Sequence, residues 1–127
     1  MRTTDSLTDD SSYFFSELTR LKFIVDTIAE DKNYFVILDE ILKGTNSTDK
    51  AIGSRKFVEK LVKHNATGII ATHDLSLTEI EAELEAVKNY YFDAEIKNDE
   101  LFFDYKLKKG VCQNMNASFL LKKMEIV

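Results

Sequence analysis

Along residues 12–29 the apolar positions Phe14, Leu18, Leu21, Val25 and Ile28 recur at spacings of three and four. Such spacing lines one stripe of an α-helix. At residues 34–38 the periodicity gives way to an unbroken run, "YFVIL", preceded by polar "EDKN" and followed by two adjacent acids, Asp39 and Glu40. A short aromatic and branched run with polar ends reads as a fully buried strand. Helical spacing returns from Ser47, with Ser47 or Asp49 as the cap and Ala51, Val58, Leu61 and Val62 on the inner face, and it ends near "KHN". Residues 67–72, "TGIIAT", repeat the short apolar pattern and stop at Thr72, His73 and Asp74. A third helix is expected to carry Leu77, Ile80, Leu84 and Val87 inward. Beyond it Tyr90, Phe92, Ala94 and Ile96 alternate with polar neighbours. Leu101, Phe103, Tyr105 and Leu107 do the same after a turn centred on Asn98 and Asp99, the signature of an antiparallel hairpin at the edge of the sheet. A short terminal helix is expected over residues 117–124.

Two buried strands joined by a helix form a βαβ unit, whose crossover makes the strands parallel members of one sheet. The fold class is therefore α/β, with a parallel βαβ core, a C-terminal antiparallel hairpin and a short terminal helix. Parallel strands end at the same edge, which in open α/β sheets is where ligands bind. Asp39, Glu40, Thr72 and His73 are expected to converge there.

Composition narrows the setting. The 127 residues are 44% apolar, enough for a compact domain, and 22 acids against 17 bases give a formal charge of −5. Phosphate backbones are held by clustered Lys and Arg, so this chain's general field does not suit nucleic acid. Cys112 stands alone and forms no internal disulfide, and it reads as a packed or partly exposed thiol. No signal peptide or long apolar span is visible, so a reducing, cytoplasmic setting without a membrane is expected. No internal repeat, low-complexity tract or proline marks a linker. The opening "TTDSLTDDSSYFF" is a polar loop running into a helix with no strand before it, which is expected of a piece of a longer protein.

The paired acids admit two readings. At the end of a buried strand, one carboxylate can hold magnesium, directly or through water, while its neighbour orients or deprotonates an attacking water. Alternatively Asp39 caps the following turn and Glu40 faces solvent. His73 at the same edge favours the first reading, since a phosphate sensor belongs there. His64 lies near a helix end, where a histidine favours the helix dipole. Glu79, Glu81, Glu83 and Glu85 occupy alternate helix positions, which point different ways, so they read as a solvated face.

Four stretches, in order, resemble the MutS family, the ATPases of DNA mismatch repair and their relatives, which share the ABC-type nucleotide-binding fold. "SLTDDSSYFFSEL" resembles the family's signature loop and helix, in which a serine opens the helix and a glutamate follows. "ILDEILKGTNS" is similar to its Walker B strand and following loop, "IIATHDLSLTEIE" to the strand ending in Thr-His, and "YKLKKGVCQNMNASFLLKKMEIV" to the end of its ATPase domain. The resemblance covers nearly the whole of residues 1–127 and implies the C-terminal portion of a P-loop NTPase domain of ABC type. It assigns Asp39 to magnesium through water, Glu40 to water activation and His73 to the terminal phosphate of ATP. Gly44, Thr45, Asn46 and Ser47 match the loop that lies at the family's dimer interface, which places Thr45 and Ser47 near nucleotide. Ser12 matches the signature serine, reaching the nucleotide of the opposite subunit through its hydroxyl and the helix N-terminus. A homodimer of the intact protein follows, with ATP and Mg2+ as cofactors and DNA contacted by upstream domains.

The chain departs from the family in three places. Asp9 and Asp10 stand before the serine where small or basic residues are usual, and "LKGTNS" replaces the commoner "GRGTST". Nothing reads G-x-x-x-x-G-K-[ST], the glycines being Gly44, Gly53, Gly68 and Gly110. This implies a nucleotide-cradling half upstream, so the piece by itself is expected neither to bind ATP tightly nor to turn it over. Two other readings remain: a nucleotide-gated dimerisation module of a relative that does not recognise mismatches, and a metal-dependent phosphohydrolase using Asp39, Glu40 and His73 without ATP.

Overall fold

The computed structural model describes residues 6–30, 32–113 and 116–127, with residues 6–11 described by backbone alone. These fall into two compact units that divide between Ala86 and Val87.

The first unit holds α1 (Ser6–Ile28), β1 (Phe35–Asp39), α2 (Ser47–Lys63), β2 (Thr67–Ala71) and a short α3 (Leu75–Thr78) that runs into a 3-10 turn over Glu79–Ala82. β1 and β2 pair in parallel, from Phe35 opposite Thr67 to Asp39 opposite Ala71, as the βαβ pattern requires. The apolar centre joins Leu21 of α1 to Ile41 and Leu42 after β1, with Phe14, Ile24, Leu38 and Phe57 packed around them. Val58, Leu61, Leu77 and Ile80 are buried as well.

Several expectations are corrected. The α1 helix opens at Ser6, upstream of Ser12, and neither glycine nor proline interrupts "SLTDDSS". Its inner stripe is Phe14, Glu17, Leu21, Ile24, Val25 and Ile28, whereas Leu18 is 39% exposed. The strands are buried on one face only. Side chains alternate along β1, so Val36 and Leu38 are half-buried while Phe35 and Ile37 are 59% and 73% exposed, with Ile69 of β2 beside Ile37 at 60%. A run of consecutive apolar residues thus fills a two-faced strand whose second face is bare in this chain. The helix expected through Val87 ends early, since Glu79/Glu83 and Glu81/Glu85 repel at i,i+4 and no base lies among them; Glu83 instead pairs with Arg55 of α2.

The second unit contains β3 (Tyr90–Tyr91), β4 (Ala94–Lys97), β5 (Glu100–Phe103), β6 (Lys108–Lys109) and α4 (Asn116–Lys123). β4 and β5 form the expected hairpin, with Ala94 opposite Phe103, and both turn residues, Asn98 and Asp99, take positive φ values of 50° and 63°. That is the backbone a two-residue hairpin turn needs, and Asn and Asp tolerate it. Pairing resumes as β3 with β6, beyond Phe92 and Asp93 on one side and residues 104–107 on the other. Asp104 accepts the Lys106 amide at 3.0 Å and pairs with Lys108 at 2.9 Å. The hairpin is a sheet of its own rather than an edge of the parallel pair, because among the described residues its strands pair only with each other. No residue of α4 is buried. None of the described helices is long and apolar enough to cross a membrane.

Candidate functional site

The site forms where β1 and β2 run out. Asp39, the last residue of β1, shares the open face with Ile37, and its carboxylate has no hydrogen bond or ion pair among the described residues. Glu40 then turns the chain with φ 56°, a left-handed conformation that a side-chain-bearing residue keeps only when its surroundings hold it. Three contacts do so. The Glu40 amide donates to the Ala71 carbonyl at 2.7 Å, which extends the parallel ladder by one rung. Glu40 Oε1 accepts the backbone amide of His73 at 2.8 Å, and Oε2 lies 3.8 Å from the Lys50 ammonium of α2. Glu40 and His73 are thereby joined across 33 positions of sequence.

The neighbouring groups are held locally. Thr72 Oγ accepts the Asp74 amide at 2.9 Å, and Asp74 caps α3 through the Ser76 amide at 2.9 Å. The His73 side chain is exposed. After Glu40 the chain buries Ile41 and Leu42, and Leu42 takes a second left-handed φ of 57°. Both oxygens of Glu17 on α1 receive this segment, accepting the Leu42 amide at 2.7 Å and the Lys43 amide at 3.0 Å. Gly44 then passes so close to α1 that an added Cβ would stand 2.8 Å from Phe14 Cβ. The cap of α2 is Asn46, in place of Ser47 or Asp49: its side-chain oxygen accepts the Asp49 amide at 2.9 Å, as a residue one position before the helix is placed to do. Ser47 is exposed in the first turn and Thr45 is half-buried. His64 is the C-cap of α2, half-buried, its amide donating to the Lys60 carbonyl.

A cleft of about 930 Å³ lies between α1 and the end of β1, walled by Tyr13, Arg20, Ile37, Asp39, Glu40 and Gly44 among others. Asp39 and Glu40 open onto it, and Ser12, Thr45, Ser47 and His73 do not. Ser12 is exposed and stands inside α1, so the free amides of that helix, which belong to its first turn, lie upstream of it. Among the described residues no three His, Cys, Asp or Glu side chains cluster as a metal cage. Asp39 offers what magnesium uses in phosphate sites: one free carboxylate, the remaining positions going to water and phosphate oxygen. Sequence reasoning included Glu17 as the glutamate of the signature stretch but gave it no contact with the segment after β1, and it missed Lys50. An acid at the i+3 position from Phe14 and i−4 from Leu21, on an otherwise apolar stripe, was a readable sign for Glu17; Lys50 carried none.

The fold and site together define a mixed α/β domain that gathers an acid pair and a histidine-bearing loop at the carboxyl edge of two parallel strands. Residues 1–124 match the family model for MutS domain V. The chain is 34% identical over 112 residues to the DNA mismatch repair protein MutS of Natronomonas pharaonis, covering 86% of this chain and 13% of that protein. It is 34% identical over 100 residues to the protein of the same name from Aquifex pyrophilus, covering 78% of this chain and 12% of that one. MutS protein homolog 4 of Mus musculus is 31% identical over 121 residues, 90% of this chain and 12% of its own length. The chain belongs to the MutS family, of which it carries domain V, and it spans about an eighth of the length of these relatives.

Proposed function

We propose that this chain is the C-terminal part of a P-loop ATPase domain of ABC type, and that ATP binding and hydrolysis at paired sites drive a DNA-engaging dimer in mismatch repair or a related DNA process. The observation that carries this reading is the Glu40 carboxylate fixed on the His73 amide at the shared end of two parallel strands, beside an unengaged Asp39. Family membership supports it, because relatives over this stretch bear the name DNA mismatch repair protein MutS.

In this reading Asp39 holds magnesium through water. The ion, when bound, neutralises charge on the phosphate oxygens. Glu40 accepts a proton from the attacking water: an ionised carboxylate has about four lone-pair sites, so the bond from the His73 amide leaves acceptor capacity on the cleft side. That bond also links the position of His73, which faces the terminal phosphate, to the position of the base. Thr45 and Ser47 meet the second subunit, and Ser12 reaches the opposite nucleotide by its hydroxyl alone. The β- and γ-phosphate cradle of backbone amides and lysine is supplied by residues other than these 127, which hold no such run.

The test is steady-state ATP hydrolysis by the intact protein with and without Mg2+, beside Asp39→Asn and His73→Ala. Withdrawal of magnesium and Asp39→Asn should each take turnover to background, and His73→Ala should lower kcat about a hundredfold to a thousandfold, the range for a single group acting on developing charge. Magnesium-independent turnover, or an Asp39→Asn protein as fast as its parent, refutes the proposal.

A further inference from the structure

The geometry points to Glu17 as a positioning residue for Glu40, one that locks the segment after β1 to helix α1 and so ties the movement of that helix to the water-activating acid. This rests on the ATPase reading given above. Two residues of the segment, Glu40 and Leu42, hold left-handed backbone at φ 56° and 57°, where neither glycine nor asparagine eases the conformation. Strain of this kind persists only where the surroundings over-determine it.

Ile41 and Leu42 are anchored by burial against Leu21. Burial fixes side chains but leaves backbone amides wanting partners, and two successive N–H groups here, of Leu42 and Lys43, turn the same way. Successive amides in such a turn make a small concavity suited to an anion. The anion present is the Glu17 carboxylate, one oxygen to each amide at 2.7 and 3.0 Å, and charge-assisted bonds of that kind are the stronger ones.

Glu17 sits one turn from Leu21 and one from Phe14, two of the α1 residues packed against the segment that runs from Ile41 to Gly44. Any rotation or shift of α1 therefore drags the segment by three linked contacts, and Glu40 is two residues from the clamped amides. Without the clamp Leu42 is released from its left-handed state. Glu40 then keeps its carboxylate chemistry but loses a fixed aim. Helix α1 carries Ser12 at one end of this connection, so occupation of one site of the proposed dimer reaches the acid of the other through Glu17.

The test compares the intact protein with Glu17→Gln, which keeps the size and removes the second acceptor oxygen, and with Glu17→Asp, which keeps the charge but draws it back by one methylene. Backbone hydrogen exchange is read without nucleotide, and kcat and KM for ATP are read separately. The expected result is exchange at Leu42 and Lys43 faster by about tenfold or more, with α2 and the β1 to β2 ladder as protected as in the parent, because a local clamp and not the fold has been lost. With it kcat falls while KM holds. Unchanged exchange at the two amides, or exchange raised equally throughout the first unit, overturns the positioning role. So does a fall in kcat no larger than the loss of folded protein measured by circular dichroism in the same samples. A parent that never turns over ATP removes the functional reading and the role with it, and the exchange result then shows separately whether the clamp exists.

Discussion

Gly68→Ala sets two physical effects against each other, and the structure decides the sign. Gly68 is the second residue of β2, opposite Val36, and its backbone is not left-handed. On conformational grounds alone alanine should stabilise the chain, by roughly 0.5–1 kcal/mol, since glycine loses more freedom on folding. An added Cβ, however, would fall well inside contact distance of the Val36 carbonyl oxygen and 3.2 Å from Val36 Cβ. The obstacle is mostly backbone, held in a parallel ladder, so it has no rotamer by which to yield. Forcing the strands apart costs about 1–3 kcal/mol of overpacking and about 1 kcal/mol for a weakened ladder bond, which leaves a net loss of roughly 1–3 kcal/mol. In urea unfolding followed by far-UV circular dichroism, the midpoint should drop by roughly 1 M or more for a slope near 1 kcal/mol per M. Gly44→Ala should lose stability too, because the nearest atom its Cβ would meet, at 2.8 Å, is Phe14 Cβ, which is fixed to the backbone of α1 and stays in place when the ring swings. A Gly68→Ala midpoint at or above that of the parent refutes the account of the β1 to β2 packing. The site depends on this packing, because the Ala71 carbonyl and the His73 amide that hold Glu40 both follow from where β2 lies.

Asn46→Ala removes the cap of α2 and should lower stability by about 1 kcal/mol in thermal or denaturant unfolding, with Asn46→Asp retaining most of it. Ser54 is wholly buried and its hydroxyl has no partner among the described residues, so Ser54→Ala should leave stability equal or raise it by up to about 1 kcal/mol; a loss above that would reveal an uncounted partner. In the second unit the Lys106 amide, and then Lys108, hold the Asp104 carboxyl below the usual aspartate range, while Asp104 raises Lys108. The Asp104 contribution is therefore complete above its unfolded value and is lost as pH falls through the lower folded one, whereas that of Lys108 is lost as pH rises through its raised folded value. A carboxyl titration by NMR should find Asp104 below an ordinary aspartate, with the Lys106 amide shift moving in step, and Asp104→Asn should abolish that movement.

The parallel core was legible in the chain because "YFVIL" and "TGIIAT" are short apolar runs with a helical period between them, and that pattern admits few arrangements. From it came the meeting of Glu40 with His73, which depends only on where parallel strands end. The hairpin turn was legible for a similar reason: Asn98 and Asp99 are among the few residues at ease with positive φ. What escaped was decided by competition between near-equals. Asn46, Ser47 and Asp49 all cap helices, and backbone geometry chose the first. Leu18 and Glu17 are adjacent, and the tertiary need of two amides for an acceptor turned α1 so that the acid faces in and the leucine out. The early end of α3 reflects like charges at helical spacing, which an apolar pattern does not weigh. The bare face of β1 shows the limit of reading burial from composition, since an apolar run states what a strand suits and not what covers it.

The central claim is that Glu40 activates water for ATP hydrolysis. Its most direct measurement is ATP binding and single-turnover hydrolysis by the intact protein against Glu40→Gln, an exchange that keeps the size and an acceptor for the His73 amide but removes the base. The account predicts that the variant binds ATP with magnesium as its parent does, while the chemical step slows by about a hundredfold or more. Equal rates of hydrolysis in the two proteins, or no binding of ATP by the parent, would contradict it.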